Sequence, residues 1–214
     1  MNQNKNELIE LINLDPNIQL DIRYATTNNF TGKVIYSDAR CYLQKEAAYS
    51  LIAVVKELKP LGLGIKVFDG YRPLEAQKIL WNSASRKFPD ETERALYVAN
   101  PTTGSRHCRG TAVDLTLINL SNGAEFEMPS DYDDFSEKAH REYSSMNSEK
   151  IRINCKLLEL VMEKHKFEPQ STEWWHFDYR GWEQHDVLNI TFDELDTKTK
   201  TIFNSFCFLS MNKK

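Results

Sequence analysis

Hydrophobic positions along the chain recur at two spacings, and the change from one to the other marks out its elements. Residues 18–25, IQLDIRYA, alternate apolar and polar side chains and predict a strand. Residues 43–59, LQKEAAYSLIAVVKELK, carry apolar positions at helical spacing and stop at Pro60 and Gly62. GIKVFDGYR (64–72) reads as a strand leaving through Asp69-Gly70, and Pro73 then opens a second helix, PLEAQKILWNSASR. TAVDLTLI (111–118) is a strongly β-prone run, with Thr111, Val113, Leu115 and Leu117 on one face and Ala112, Asp114 and Thr116 on the other. Residues 119–147 are polar, turn at Asn122-Gly123, and predict a long loop or lid. The longest helical pattern spans 149–166, and HFDYR (176–180) is a short strand. Strands and helices alternate irregularly without a βαβ fingerprint. The expected fold is α+β, a small mostly antiparallel sheet with helices packed on it, in a single domain over 1–214.

Composition narrows the class of partner. A chain of 214 residues with 41% hydrophobic and 27% charged residues is ordinary for a globular protein with a real core. A net charge of -4 and a pI near 5.8, with scattered Lys and Arg, predict neither nucleic acid nor an anionic membrane as partner. The N-terminus, MNQNKNELIELINLDPN, lacks a basic start, a long apolar run and a cleavage site. That predicts a cytoplasmic protein, or a periplasmic one if a leader has been removed. The four cysteines, Cys41, Cys108, Cys155 and Cys207, form no CxxC pair, so free thiols are expected rather than a zinc ribbon or a disulfide framework.

Two stretches carry the chemistry. In SRHCRGTAVD, Asp114 follows His107 by seven residues, with Gly110 permitting a turn between them. A carboxylate in the middle of a β-run is costly to bury unless paired, hydrogen-bonded or bound to a cation. In EWWHFDYRGW, Glu173 and His176 flank a Trp pair. Two imidazoles and one carboxylate make a three-ligand set with an open fourth position, the pattern of catalytic zinc. Glu173 is then left over, near enough to act as a base. Spacing alone also allows two unrelated buried polar groups, and there is no HExxH helix.

The motif Ser105-x-His107-x-x-Gly110-x-Ala112-x-Asp114, followed by Glu173-x-x-His176, resembles the zinc signature of the LAS-type peptidases. Within that group the chain is most similar to the VanX-type D-alanyl-D-alanine dipeptidases of peptidase family M15. DIRYATTNNFTG (21–32), FDGYRP (68–73), MPSDYDDFSEKAH (128–140) and EWWHFDYRGW (173–182) occur in that family's order. The resemblance covers about 8–192, leaving 193–214 as an extension without counterpart. It implies one Zn²⁺ per chain in a central cleft, held by His107, Asp114 and His176. It also implies Glu173 as general base, Arg72 as oxyanion donor and substrate contact, and Ser105 as a second substrate contact. The implied reaction is hydrolysis of the dipeptide D-Ala-D-Ala. A carboxypeptidase or endolysin-like peptidase on peptidoglycan stems, and a non-catalytic zinc-stabilised domain, are the alternatives.

The remaining polar and aromatic residues are given plainer roles. Asp21 and Arg23 are expected on one strand face, and Asp69 beside Arg72 to orient it. His165 fits a helix terminus, while His140 and His185 are expected at the surface. Trp174 and Trp175 are expected as pocket walls or core, and Cys108, on an extended segment, as pointing away from His107.

Overall fold

The computed structural model describes residues 6–146 and 148–195, so the extension expected at 193–214 lies almost wholly outside the described residues. Five strands form the main sheet: β2 (Gln19–Leu20), β4 (Leu63–Asp69), β5 (Ala112–Asn119), β6 (Phe167–Pro169) and β7 (His176–Tyr179). Their order across the sheet is β2-β4-β5-β7-β6, with β2–β4 parallel and every other pairing antiparallel. A separate antiparallel pair joins β1 (Leu8–Glu10) to β3 (Tyr42–Gln44). Helices α1 (Lys45–Leu58), α2 (Leu74–Ala84), α3 (Glu91–Arg94) and α4 (Glu149–Lys164) complete the α+β fold expected from the hydrophobic pattern.

Helix α1 forms because Ala47, Ala48, Leu51, Ile52, Val54, Val55 and Leu58 make one buried stripe. It ends through a 3-10 turn at Lys59–Leu61, stopped by Gly62 at φ 73°. Helix α4 starts at Ser148, whose hydroxyl accepts the Ile151 N–H at 3.3 Å. Both helices pack against the sheet, and Val113, Leu115 and Leu117 of β5 are wholly buried in the shared core. The polar residues of β5 therefore gather on the other face.

Three differences from the sequence reading have physical causes visible in the fold. Residues 18–25 pair as a strand only at Gln19–Leu20, then coil into a 3-10 turn at Arg23–Ala25. The Tyr24 carbonyl accepts the N–H groups of both Ile35 and Tyr36, which pulls the chain out of the sheet. Asp21 and Arg23 consequently form an ion pair at 2.8 Å rather than sharing a strand face. The first helix begins at Lys45, two residues later than its pattern implied, because Tyr42–Gln44 is taken up by pairing with Leu8–Glu10. Strands β1, β3 and β6 are three residues each, too short to register as alternation.

Candidate metal centre

Strand register brings the chemistry together. Asp114 in β5 lies opposite His176 in β7 on one side and Asp69 in β4 on the other. An irregularity between Val67 and Asp69 sets that last pairing. His107 arrives from a 3-10 turn, His107–Arg109, closed by Gly110 in the left-handed region at φ 70°. The turn is pinned from several directions: the Gly110 carbonyl accepts the Gln44 N–H at 2.7 Å, and the His107 carbonyl accepts the Arg72 N–H at 3.1 Å.

His107, Asp114 and His176 are all buried, and among the described residues they form the one His/Cys/Asp/Glu group able to hold a metal ion. His107 Nε2 lies 3.1 Å from His176 Nδ1, which lies 3.0 Å from Asp114 Oδ1. Asp114 Oδ1 is in turn 3.4 Å from His107 Nε2. The outward nitrogens are both committed. His107 Nδ1 donates to the Gly70 carbonyl at 2.7 Å, and His176 Nε2 donates to Asp178 Oδ1 at 2.9 Å. Those bonds fix each tautomer, so two imidazole lone pairs and a carboxylate oxygen face a common point. Opposed lone pairs at this distance call for a cation between them. A tetrahedral ion with bonds of about 2.0–2.1 Å separates its ligand atoms by about 3.3 Å, which the three spacings match. The residues fit a zinc-type ion.

The electrostatics of this group follow from burial and proximity. Burial alone would raise the Asp114 carboxyl, but charge and hydrogen bonds from His107 and His176 hold it well below the usual range. Burial would lower His176, yet Asp178 and Asp114 push it well up. Metal and proton thus compete for the same nitrogen.

Glu173 Oε2 lies 3.7 Å from His176 Nδ1, one step from the three ligating atoms. Burial raises its carboxyl to about 7, where a carboxylate is an effective proton acceptor near neutral pH. Arg72 is buried, with Nη2 and Nε donating to Asp69 Oδ2 at 2.6 and 3.1 Å and Nη1 donating to Gln77 Oε1 at 2.8 Å. Asp69 is itself fixed by the Tyr36 hydroxyl at 2.8 Å and the Gly70 N–H at 2.9 Å. Burial disfavours the Arg72 charge, but Asp69 together with the surrounding Tyr36, Tyr24 and Tyr132 outweighs that and holds the guanidinium charged. Three of the five guanidinium N–H groups are taken by these partners among the described residues, leaving two for a ligand.

Arg72, Ser105, His107, Asp114, Glu173 and His176 all line one cavity of about 450 Å³. Ser105 does so while capping the His107 turn: its hydroxyl accepts the Cys108 N–H at 3.1 Å and reaches Cys108 Sγ at 3.2 Å. Cys108 is buried away from the cavity, on a helical turn rather than the extended segment expected. Trp175 is a cavity wall and Trp174 is core. His165 caps α4 and pairs with Glu57 at 2.8 Å. His185, expected at the surface, is buried, with its carbonyl bound by Arg109.

Other residues around the site went unread in the sequence, of which Asp133 lines the cavity. Asp178 could have been found, since it stands two residues beyond His176 on the same strand face. Asp133 and Tyr132, from the segment between β5 and α4, carried no periodic signal. Asp133 accepts from the Tyr24 hydroxyl at 3.0 Å and the Phe30 N–H at 3.3 Å, and burial raises its carboxyl to about 7. Arg141 ties the same segment to β7, donating to the His176 carbonyl at 2.8 Å.

A buried two-histidine, one-aspartate cluster at the mouth of an α+β sheet, with a carboxylate beside it, defines a metallohydrolase-type centre. Residues 4–195 match the M15 peptidase family described as D-ala-D-ala dipeptidase. The chain is 37% identical over 172 residues to the D-alanyl-D-alanine dipeptidase of Escherichia coli K12, covering 80% of this chain and 84% of that protein. It is 31% identical over 175 residues to the Enterococcus faecium enzyme of the same name, covering 76% and 86%. The vancomycin-resistance D,D-dipeptidase VanXYg, solved with a D-Ala-D-Ala phosphinate analog, aligns with a TM-score of 0.43 at 18% identity over 81% of this chain and 67% of that one. The chain belongs to the M15 D-ala-D-ala dipeptidase family, a family of metallopeptidases. No helix among the described residues is long and apolar enough to cross a membrane.

Proposed function

We propose that the protein is a zinc-dependent dipeptidase that hydrolyses D-alanyl-D-alanine to two D-alanines. The observation that carries this reading is the convergence of His107 Nε2, His176 Nδ1 and Asp114 Oδ1, each separated from the next by 3.0–3.4 Å. In this reading those three side chains hold one zinc ion per chain. Bound there, zinc supplies Lewis acidity for the carbonyl and makes water acidic enough to react near pH 7. Glu173 takes the proton of the attacking water and returns it to the departing amine. Arg72 meets the negative charge that develops on the carbonyl oxygen, a charge present only in the transition state. Ser105 and Arg72 line the wall against which the dipeptide lies, while the Asp133 and Glu173 carboxylates suit its ammonium end. A cavity of about 450 Å³ sits at the small end of ligand sites, which supports a dipeptide over a polymeric stem.

The test pairs Glu173→Gln with the wild type. The wild type should bind one zinc and cleave D-Ala-D-Ala, leaving a stem pentapeptide nearly untouched. The variant should keep its zinc and lose about 10³–10⁴-fold in kcat. Comparable turnover of dipeptide and pentapeptide would move the assignment to a carboxypeptidase. Loss of zinc in a folded Glu173→Gln protein would make Glu173 a ligand instead of a base.

A further inference from the structure

Tyr132 belongs to the segment that joins β5 to α4, well outside the metal-ligand motifs. Its hydroxyl donates to Asp114 Oδ2 at 3.0 Å, while Oδ1 of the same carboxylate faces both imidazoles. A carboxylate with two free oxygens can rotate to offer both to a cation. One whose second oxygen is held by a neutral hydroxyl offers only the first. The Tyr132 ring cannot slide away alone, because its centroid lies 5.0 Å from that of Phe68 and 5.2 Å from that of Trp175. The Arg23 guanidinium sits 5.8 Å from the same ring. A phenolic hydroxyl is protonated near neutral pH, so it serves here as a donor.

The next residue gives the hydrogen bond its wider consequence. Asp133 adopts φ 62°, in the left-handed region that non-glycine residues rarely occupy, and lines the cavity. Its carboxylate is bound by Tyr24 and Phe30 from a different part of the chain. The Trp174 indole N–H, donated to Ser130 Oγ at 3.1 Å, adds a further tie to the same segment. The segment is thus docked over the cavity by contacts that share Tyr132 with the metal site.

We propose that Tyr132 is a positioning residue that fixes Asp114 as a one-oxygen ligand and couples metal binding to docking of residues 127–139. The inference rests on the reading that a metal occupies the His107–Asp114–His176 site. Coupling of this kind is reciprocal: a docked segment strengthens the metal's hold, and bound metal strengthens docking by the same factor.

Tyr132→Phe tests it, because phenylalanine keeps the ring and its packing and removes only the hydroxyl. Zinc dissociation constants of wild type and variant are measured on the full chain by competition with a chromophoric chelator. Backbone hydrogen exchange across 127–139 is followed with and without zinc. The variant should bind zinc about 10-fold more weakly, and the extra protection that zinc gives this segment should shrink. A purely structural hydroxyl would lower the stability of the metal-free and zinc-loaded forms equally and leave the zinc constant unchanged, which overturns the proposal. An undiminished zinc-dependent protection in the variant overturns the coupling. A wild type that binds no zinc would instead sink the metal reading itself, so the two failures are distinguishable.

Discussion

The structural role of Arg72 and its proposed role as oxyanion donor can be separated by one double mutant. Its guanidinium is buried and paired to Asp69 at 2.6 Å, and Asp69 is wholly inaccessible. Replacing Arg72 with alanine leaves that carboxylate buried without its cation. Removing one member of a buried pair costs about 3–5 kcal/mol. Asp69 would keep the Tyr36 hydroxyl and the Gly70 N–H, so the lower end applies, about 3 kcal/mol. For a chain of this size that lowers Tm by about 6–12 °C. Activity should fall independently by about 10²–10³-fold in kcat, the usual cost of one oxyanion donor. Adding Asp69→Asn removes the orphaned charge while keeping the side chain's size, and should recover about half of the lost stability. It should recover none of the activity. The assay is thermal unfolding of wild type, both single variants and the double, alongside kcat on D-Ala-D-Ala and zinc content. If activity returns together with stability, Arg72 is only a structural partner of Asp69. If Arg72→Ala costs less than about 1 kcal/mol, the argument from the buried pair is wrong.

Two further outcomes test the surroundings of the site. Asp133 has its carboxyl raised by burial from 3.8 to about 7, so the folded state holds a proton that the unfolded state releases. Its contribution to stability is complete below pH 4 and is lost as pH rises towards 7. Asp133→Asn should therefore match or fall below the wild type in stability at pH 4, and exceed it at pH 8 by up to about 4 kcal/mol. Denaturant unfolding at pH 4, 6 and 8 decides this, and a pH-independent difference between the two proteins refutes it. Gly70→Ala tests the proposed metal site without changing any of the residues proposed to ligate. An added Cβ would lie 2.5 Å from Cys41 Sγ and 2.9 Å from the Tyr42 carbonyl oxygen, so the chain must shift. The Gly70 carbonyl orients His107, and zinc affinity should drop about 10-fold. Unchanged affinity by chelator competition would show that His107 needs no such orientation.

The sequence by itself determined the elements whose signals are local. Apolar spacing, β-prone runs and turn residues located α1, β4, α2, β5, α4 and β7 to within a few residues, because those signals lie in neighbouring positions of the chain. It also brought His107, Asp114, Glu173 and His176 forward together, since a histidine and a carboxylate inside β-prone or aromatic stretches need a reason to be buried. Only the tertiary structure decided what depends on contacts far apart in the chain. The coil at Arg23–Ala25 follows from bonds to Ile35 and Tyr36, and β1, β3 and β6 exist only as partners of other strands. The bond that fixes the His107 tautomer comes from Gly70, and the hold on Asp114 comes from Tyr132 in a segment with no period to read. Local side-chain pattern is written in neighbouring residues, but the orientation of a ligand is set by whichever distant group reaches its second polar atom, and only folding brings that group near.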